Sequence, residues 1–75
     1  MKIVIFSDNG SSVVNADDGT MDWYILNPDG TKQCAAVMMH EYRELSVHKF
    51  AYIARFRDVS QEEIRSAIMR HGYDV

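Results

Sequence analysis

Cys34-Ala35-Ala36-Val37-Met38-Met39-His40-Glu41-Tyr42-Arg43-Glu44-Leu45-Ser46 is the stretch on which the architecture turns. Most of its residues are strong helix formers. Ala35, Met38, Tyr42 and Leu45 recur at intervals of three or four and share one helical face. That spacing predicts a helix over 35–46. A competing reading carries the preceding strand through Met39, because Cys-Ala-Ala-Val-Met also suits a buried strand.

Before this stretch, turn signals punctuate the chain at regular intervals: Asn9-Gly10, Asp18-Gly19 and Asp29-Gly30. Such dipeptides tolerate the positive φ that tight hairpin turns require. In Asn27-Pro28-Asp29-Gly30, Pro28 is preset for the second position of a type I turn, and Gly30 suits the left-handed position that follows. The intervening runs Lys2–Ser7, Ser12–Ala16, Met21–Asn27 and Thr31–Ala36 read as strands, and their spacing is that of an antiparallel meander.

After the stretch comes Val47–Arg57. Phe50, Tyr52, Ala54 and Phe56 alternate with Lys49, Ala51, Ile53 and Arg55, a period of two that predicts a strand with the aromatic side toward the core. The last element carries the clearest boundaries. Ser60 and Glu63 form the pattern of a capping box, and Val59 and Ile64 that of a hydrophobic staple. Glu62 and Glu63 lie at the positive end of the helix dipole and Arg70 and His71 near the negative end. Gly72 follows as a C′ residue. In a helix over 61–71, Ile64, Ala67, Ile68 and His71 share one face, and the Ile64/Ile68 stripe should pack onto the sheet.

The 75 residues allow one domain, 1–75, and 47% apolar content argues against disorder. A formal charge of −3 disfavours sequence-independent phosphate binding. Cys34 is the lone cysteine, so no internal disulfide forms and a reducing compartment is expected. The apolar run Ile3–Phe6 is too short for a secretory leader, and no stretch approaches the roughly 20 apolar residues of a membrane span. A cytoplasmic protein without membrane contact is therefore expected. A domain this small buries only about 60% of its unfolded surface, and a homodimer fits that thin margin.

Charge is uneven along the chain. Residues 1–36 set Lys2 and Lys32 against Asp8, Asp17, Asp18, Asp22 and Asp29, whereas the remainder is balanced. Trp23 and Tyr24, adjacent on a strand, face opposite sides of the sheet. One enters the core, and the other either joins Asp17, Asp18, Asp22 and Asp29 in an acidic, aromatic surface at the end of the sheet or is covered by the helices or a twofold partner. Tyrosine and tryptophan are enriched in binding hot spots.

Chemistry-bearing patterns are incomplete. His40-Glu41-x-x-Glu44 resembles half of a zinc-protease helix, but the second histidine is absent and His48 is eight residues away. Asn15–Asp22 is rich in oxygen ligands yet lacks calcium-loop spacing. Cys34 is expected to be a buried small hydrophobe rather than a nucleophile. Arg43, Lys49, Arg55, Arg57, Arg65 and Arg70 are offset by Glu41, Glu44, Asp58, Glu62 and Glu63, which counts against an RNA surface. No catalytic residue, metal or cofactor is expected.

These readings predict an α+β fold: an antiparallel sheet of four or five strands, order β-β-β-β-α-β-α, with two helices on one face and the other face free for a partner. The expected function is a non-catalytic protein-binding module. In size, acidity and lack of chemistry the chain resembles the small inhibitors that phages direct against host defence complexes, the anti-CRISPR proteins among them. That resemblance implies an acidic surface docked on a basic, nucleic-acid-binding face of a larger protein or protein–nucleic-acid complex, in the host cytoplasm, with no direct nucleic-acid contact. An RNA-binding or toxin–antitoxin-type regulator is the alternative class, ahead of a small metal-dependent or cysteine hydrolase.

Overall fold

In the computed structural model, which describes residues 1–8 and 10–71, five strands and one helix follow one another along the chain. They are β1 (Lys2–Ser7), β2 (Gly10–Asn15), β3 (Asp22–Leu26), β4 (Lys32–Glu44), β5 (Val47–Arg55) and α1 (Gln61–Arg70). The sheet order is β2-β1-β5-β4-β3. Three of the four pairings are antiparallel; β1 and β5 run parallel, with Ile3 beside Tyr52 and Ile5 beside Ala54. The fold is thus α+β, but with a mixed sheet in place of the expected antiparallel one. Ile3-Val4-Ile5-Phe6 carries the reason. All four are buried, so this run lies on both faces at once, as central and parallel strands do.

The stretch 34–46 forms most of β4, not a helix, so a single helix replaces the expected pair. Ala35 and Val37 turn to one side of the sheet and Tyr42 to the other, each into a buried or half-buried layer. Helix propensity is worth only tenths of a kcal/mol per residue. Along β4 it is outweighed by one ladder to β5, from Val37–Ala54 to Glu44–Val47, and another to β3, from Asp22–Ala36 to Leu26–Lys32. At 13 residues β4 spans about 43 Å, which matches the 44 Å long dimension of the molecule. Leu45 and Ser46, at φ 50° and 66°, make the two-residue turn into β5.

The two faces of the sheet have separate cores. On the outer face α1 packs Ile64, Ala67 and Ile68 against Val4, Phe6, Tyr42, Ala51 and Ile53. On the inner face Ile3, Ile5 and Ala54 are covered by side chains from both sheet edges, Val14 and Ala16 from one and Trp23 and Ile25 from the other. Edge strands can meet in one cluster only if the sheet curls, and the result is a half-barrel whose inner face is filled rather than free for a partner. Of the expected core side of β5, Tyr52, Ala54 and Phe56 do pack into a core, but the opposite side is buried as well. Tyr52 and Ala54 belong to the inner cluster, Ala51 and Ile53 pack under α1, and Phe50 is 42% exposed.

Local signals explain the boundaries. Ser60 caps α1 by accepting the Glu63 N–H at 3.1 Å, and Val59 packs against the helix-side core. The Glu63 carboxylate turns to Arg57 instead of returning to the Ser60 backbone, so half of the capping box forms. In the β3–β4 turn Gly30 sits at φ 89° and donates to the Asn27 carbonyl at 3.0 Å, the left-handed position expected of it. Asn9 and the C′ residue Gly72 lie outside the described residues.

Candidate protein-binding surface

The outer face of β3 carries Asp22, Tyr24 and Leu26, because alternate residues of a strand share a side. α1 packs over β1, β5 and the far part of β4 and leaves this corner uncovered. Tyr24 is 61% exposed, Leu26 68%, and Met21, just before the strand, 76%. Trp23 points the other way, half-buried against Ile3, Ile5 and Ala54. Of the two adjacent aromatics, then, Tyr24 belongs to the surface and Trp23 to the core.

Asp17 and Asp18 lie in the turn that leads into β3, next to this face in sequence. The turn is closed by backbone and hydroxyl groups: the Asp17 carbonyl accepts the Thr20 N–H at 3.2 Å and the Thr20 hydroxyl at 2.6 Å. Both acidic side chains project into solvent, and Asp18 is 99% exposed, with its Oδ1 3.3 Å from the Met1 nitrogen. Asp22 thus shares the outer face with Tyr24 and Leu26, and Asp17 and Asp18 stand exposed in the turn just before it.

Asp29 does not join them. It sits in the β3–β4 turn at the opposite end of β3, where its Oδ1 accepts the Thr31 N–H at 2.9 Å and the Thr31 hydroxyl at 2.6 Å. These bonds hold its carboxyl below the ordinary aspartate range. Its role is to close the turn.

Tyr24 lies directly across from Cys34 on β4, and Cys34 is exposed, which corrects its expected burial. The charge and hydrogen bonding of the Cys34 sulfur, with Asp22 adding a smaller effect, push the Tyr24 phenol above its ordinary value. At neutral pH it is therefore a neutral hydroxyl able to donate to a partner.

The reactive side chains are scattered. His40 is on the outer face, half-buried, and that burial followed by the Arg55 charge lowers its pKa. His48 is on the inner face, between Glu41 (Nδ1 to Oε1, 2.5 Å) and Arg43 (Nε2 to Nη2, 2.9 Å). His71 bonds Ser11 Oγ at 3.1 Å, on the far side of the molecule. With residues 35–44 in a strand, His40 and His48 face opposite ways, and the half zinc-site pattern does not assemble. Among the described residues no three His, Cys, Asp or Glu side chains converge on a metal position.

The cationic side chains are also dispersed. Arg57 is held by Glu63 and the Ser7 carbonyl, Arg70 by Ser11, and Arg55 lies on the Met38 sulfur. No helix among the described residues is long and apolar enough to cross a membrane. Comparison with protein-family models, curated proteins and solved structures returns no match to this chain.

Sequence reasoning named Asp17, Asp18, Asp22, Trp23, Tyr24 and Asp29 but missed Leu26, the apolar neighbour of Tyr24 on the same face. The available signal was the period of two. Once Trp23 and Ile25 are assigned inward, Asp22, Tyr24 and Leu26 must face out.

Proposed function

We propose that this chain is a non-catalytic protein-binding module, a small inhibitor that docks the outer face of β3 and the 17–22 turn on a basic surface of a larger complex. The observation that carries this reading is the uncovered pair Tyr24 and Leu26 with Asp22 on the outer face of β3, where Asp17 and Asp18 stand exposed in the turn that leads into the strand. Apolar and aromatic anchors supply affinity when a partner excludes water around them. The flanking carboxylates add steering and specificity toward a cationic face. A face that otherwise holds nucleic acid answers that description, which is the mode of action implied by the resemblance to anti-CRISPR inhibitors.

The test is competitive capture. Immobilised protein should retain a partner that is released by raised salt and by added duplex DNA or RNA, since carboxylates and phosphates then contend for the same cations. A partner that stays bound with nucleic acid in excess would contradict docking on a nucleic-acid face. Co-purification of nucleic acid directly on this chain would contradict the reading as a whole.

A further inference from the structure

β3 pairs with β4 only as far as Asp22–Ala36, and the Val37 N–H then donates to the Met21 carbonyl at 2.8 Å. Beyond that point no strand among the described residues lies on this side of β4. The bond also sets the parity of the strand. Odd-numbered residues of β4 direct their backbone groups away from β5, so Met39, Glu41 and Arg43 present N–H and C=O groups along an open edge. Open edges of this kind are templates for pairing with another strand.

We propose that this edge is the interface of a homodimer, in which the 40–44 segments of two copies pair antiparallel about a twofold axis through Tyr42. Side-chain complementarity selects the occupant and the register. With Tyr42 on the axis, Glu41 of each copy faces Arg43 of the other in a backbone-bonded pair, and Met39 comes beside the turn that carries Leu45. A shift of one residue pair in either direction puts Glu41 against Glu41 or Arg43 against Arg43 at the axis, and like charges directly opposite are destabilising. One register therefore combines hydrogen-bond parity and two ion pairs, with exposed Met39 and Leu45 at its ends, in a single isologous contact.

Two further features fit this arrangement. Leu45 is 92% exposed and Met39 57%, and Leu45 occupies a left-handed turn position where asparagine or glycine would be relaxed. A grooved surface also runs beside the edge, about 430 Å³ between His40, Arg43 and Gln61 and about 290 Å³ over Leu45 and Met69. α1 covers the outer side of Tyr42, and the groove beside it leaves room along the edge for a second chain. This interface is separate from the β3 face and stands whether or not that face binds a partner.

Sedimentation equilibrium of the purified chain over micromolar to millimolar concentration tests the proposal. The expected species has twice the 8.6 kDa chain mass. Glu41→Arg and Arg43→Glu should each weaken it, raising the dimer dissociation constant by about tenfold or more. Their equimolar mixture should recover a heterodimer, because every cross-strand pair is again of opposite sign. Circular dichroism of each variant alone reports whether it folds, and the doubly substituted Glu41→Arg/Arg43→Glu chain, which restores the pairs within one polypeptide, should dimerise like the parent. A parent that stays monomeric throughout, or a dimer indifferent to both single reversals, overturns the proposal. So does failure of the two folded single variants to associate when mixed.

Discussion

Arg57 and Glu63 clamp the helix to the sheet: the Arg57 Nη2 donates to Glu63 Oε2 at 2.5 Å and Nη1 to Oε1 at 3.3 Å, while Nε donates to the Ser7 carbonyl at 2.7 Å. One guanidinium thereby joins the end of β1, the segment after β5 and the first turn of α1. A planar fork is suited to this bidentate geometry. The same contact diverts Glu63 from the capping box, and Ser60 alone is left to cap the helix with its side chain.

The clamp makes stability fall on acidification. Hydrogen bonding to Arg57 first, and then its charge, lower the Glu63 pKa from its ordinary value near 4.5. The unfolded chain therefore takes up that proton at higher pH than the folded one. The contribution is complete above the unfolded value and is lost as pH falls through the depressed folded value. Asp29 adds to the same limb through Thr31. Urea midpoints measured across this range should fall less steeply for Glu63→Gln than for the parent; equal slopes would show that the clamp does not couple to folding.

Core truncation should be severe on the helix side. Ile64 and Ile68 are 3% and 2% exposed. Either isoleucine replaced by alanine removes buried methyl groups and leaves a cavity costing about 2–5 kcal/mol. For a chain of this size the whole stability is of order 5–10 kcal/mol, so denaturant melts should show a large shift or no folded baseline. A shift under about 1 kcal/mol would contradict the packing described.

The β4–β5 turn is a place where stability can be gained. Two left-handed L-residues cost about 1–2 kcal/mol each, and Leu45 and Ser46 occupy both central positions. Leu45→Asn with Ser46→Gly should raise Tm in dilute solution, where the monomer is measured, and weaken self-association at high concentration, where the turn that carries Leu45 is expected to come beside Met39. An unchanged or lower Tm would contradict the strain.

The aspartates should separate into two classes. Asp29→Ala removes the acceptor for two Thr31 bonds and should lower Tm without changing partner capture. Loss of capture with Tm intact at Asp29 would place that residue back in the binding surface.

How much the sequence disclosed varied with how local the deciding forces were. α1 was readable because its signals, Ser60, Val59, Ile64 and Ile68, act within one turn of the helix. The Asn27–Gly30 turn was readable for the same reason. β4 was misread because its helix formers lie in a strand whose stabilising partners are far along the chain, in β3 and β5. The parallel β1–β5 pair was hidden likewise, although the unbroken apolar run Ile3–Phe6 signalled a strand buried on both faces. In the candidate site, the exposed acidic positions Asp17, Asp18 and Asp22 were readable from charge, while alternation left open which of Trp23 and Tyr24 faces out. Leu26 was not readable, since its exposure depends on where α1 stops covering the sheet, and Asp29 lies in the turn beyond the other end of β3, where Thr31 engages it.

The most direct test of the proposed function is a binding titration of the captured partner against the parent chain and against the triple variant Asp17→Lys/Asp18→Lys/Asp22→Lys. The account predicts a loss of about tenfold or more in affinity, a smaller dependence on salt, and a Tm within a few degrees of the parent because all three side chains are exposed. Equal affinity for the folded triple variant would contradict it.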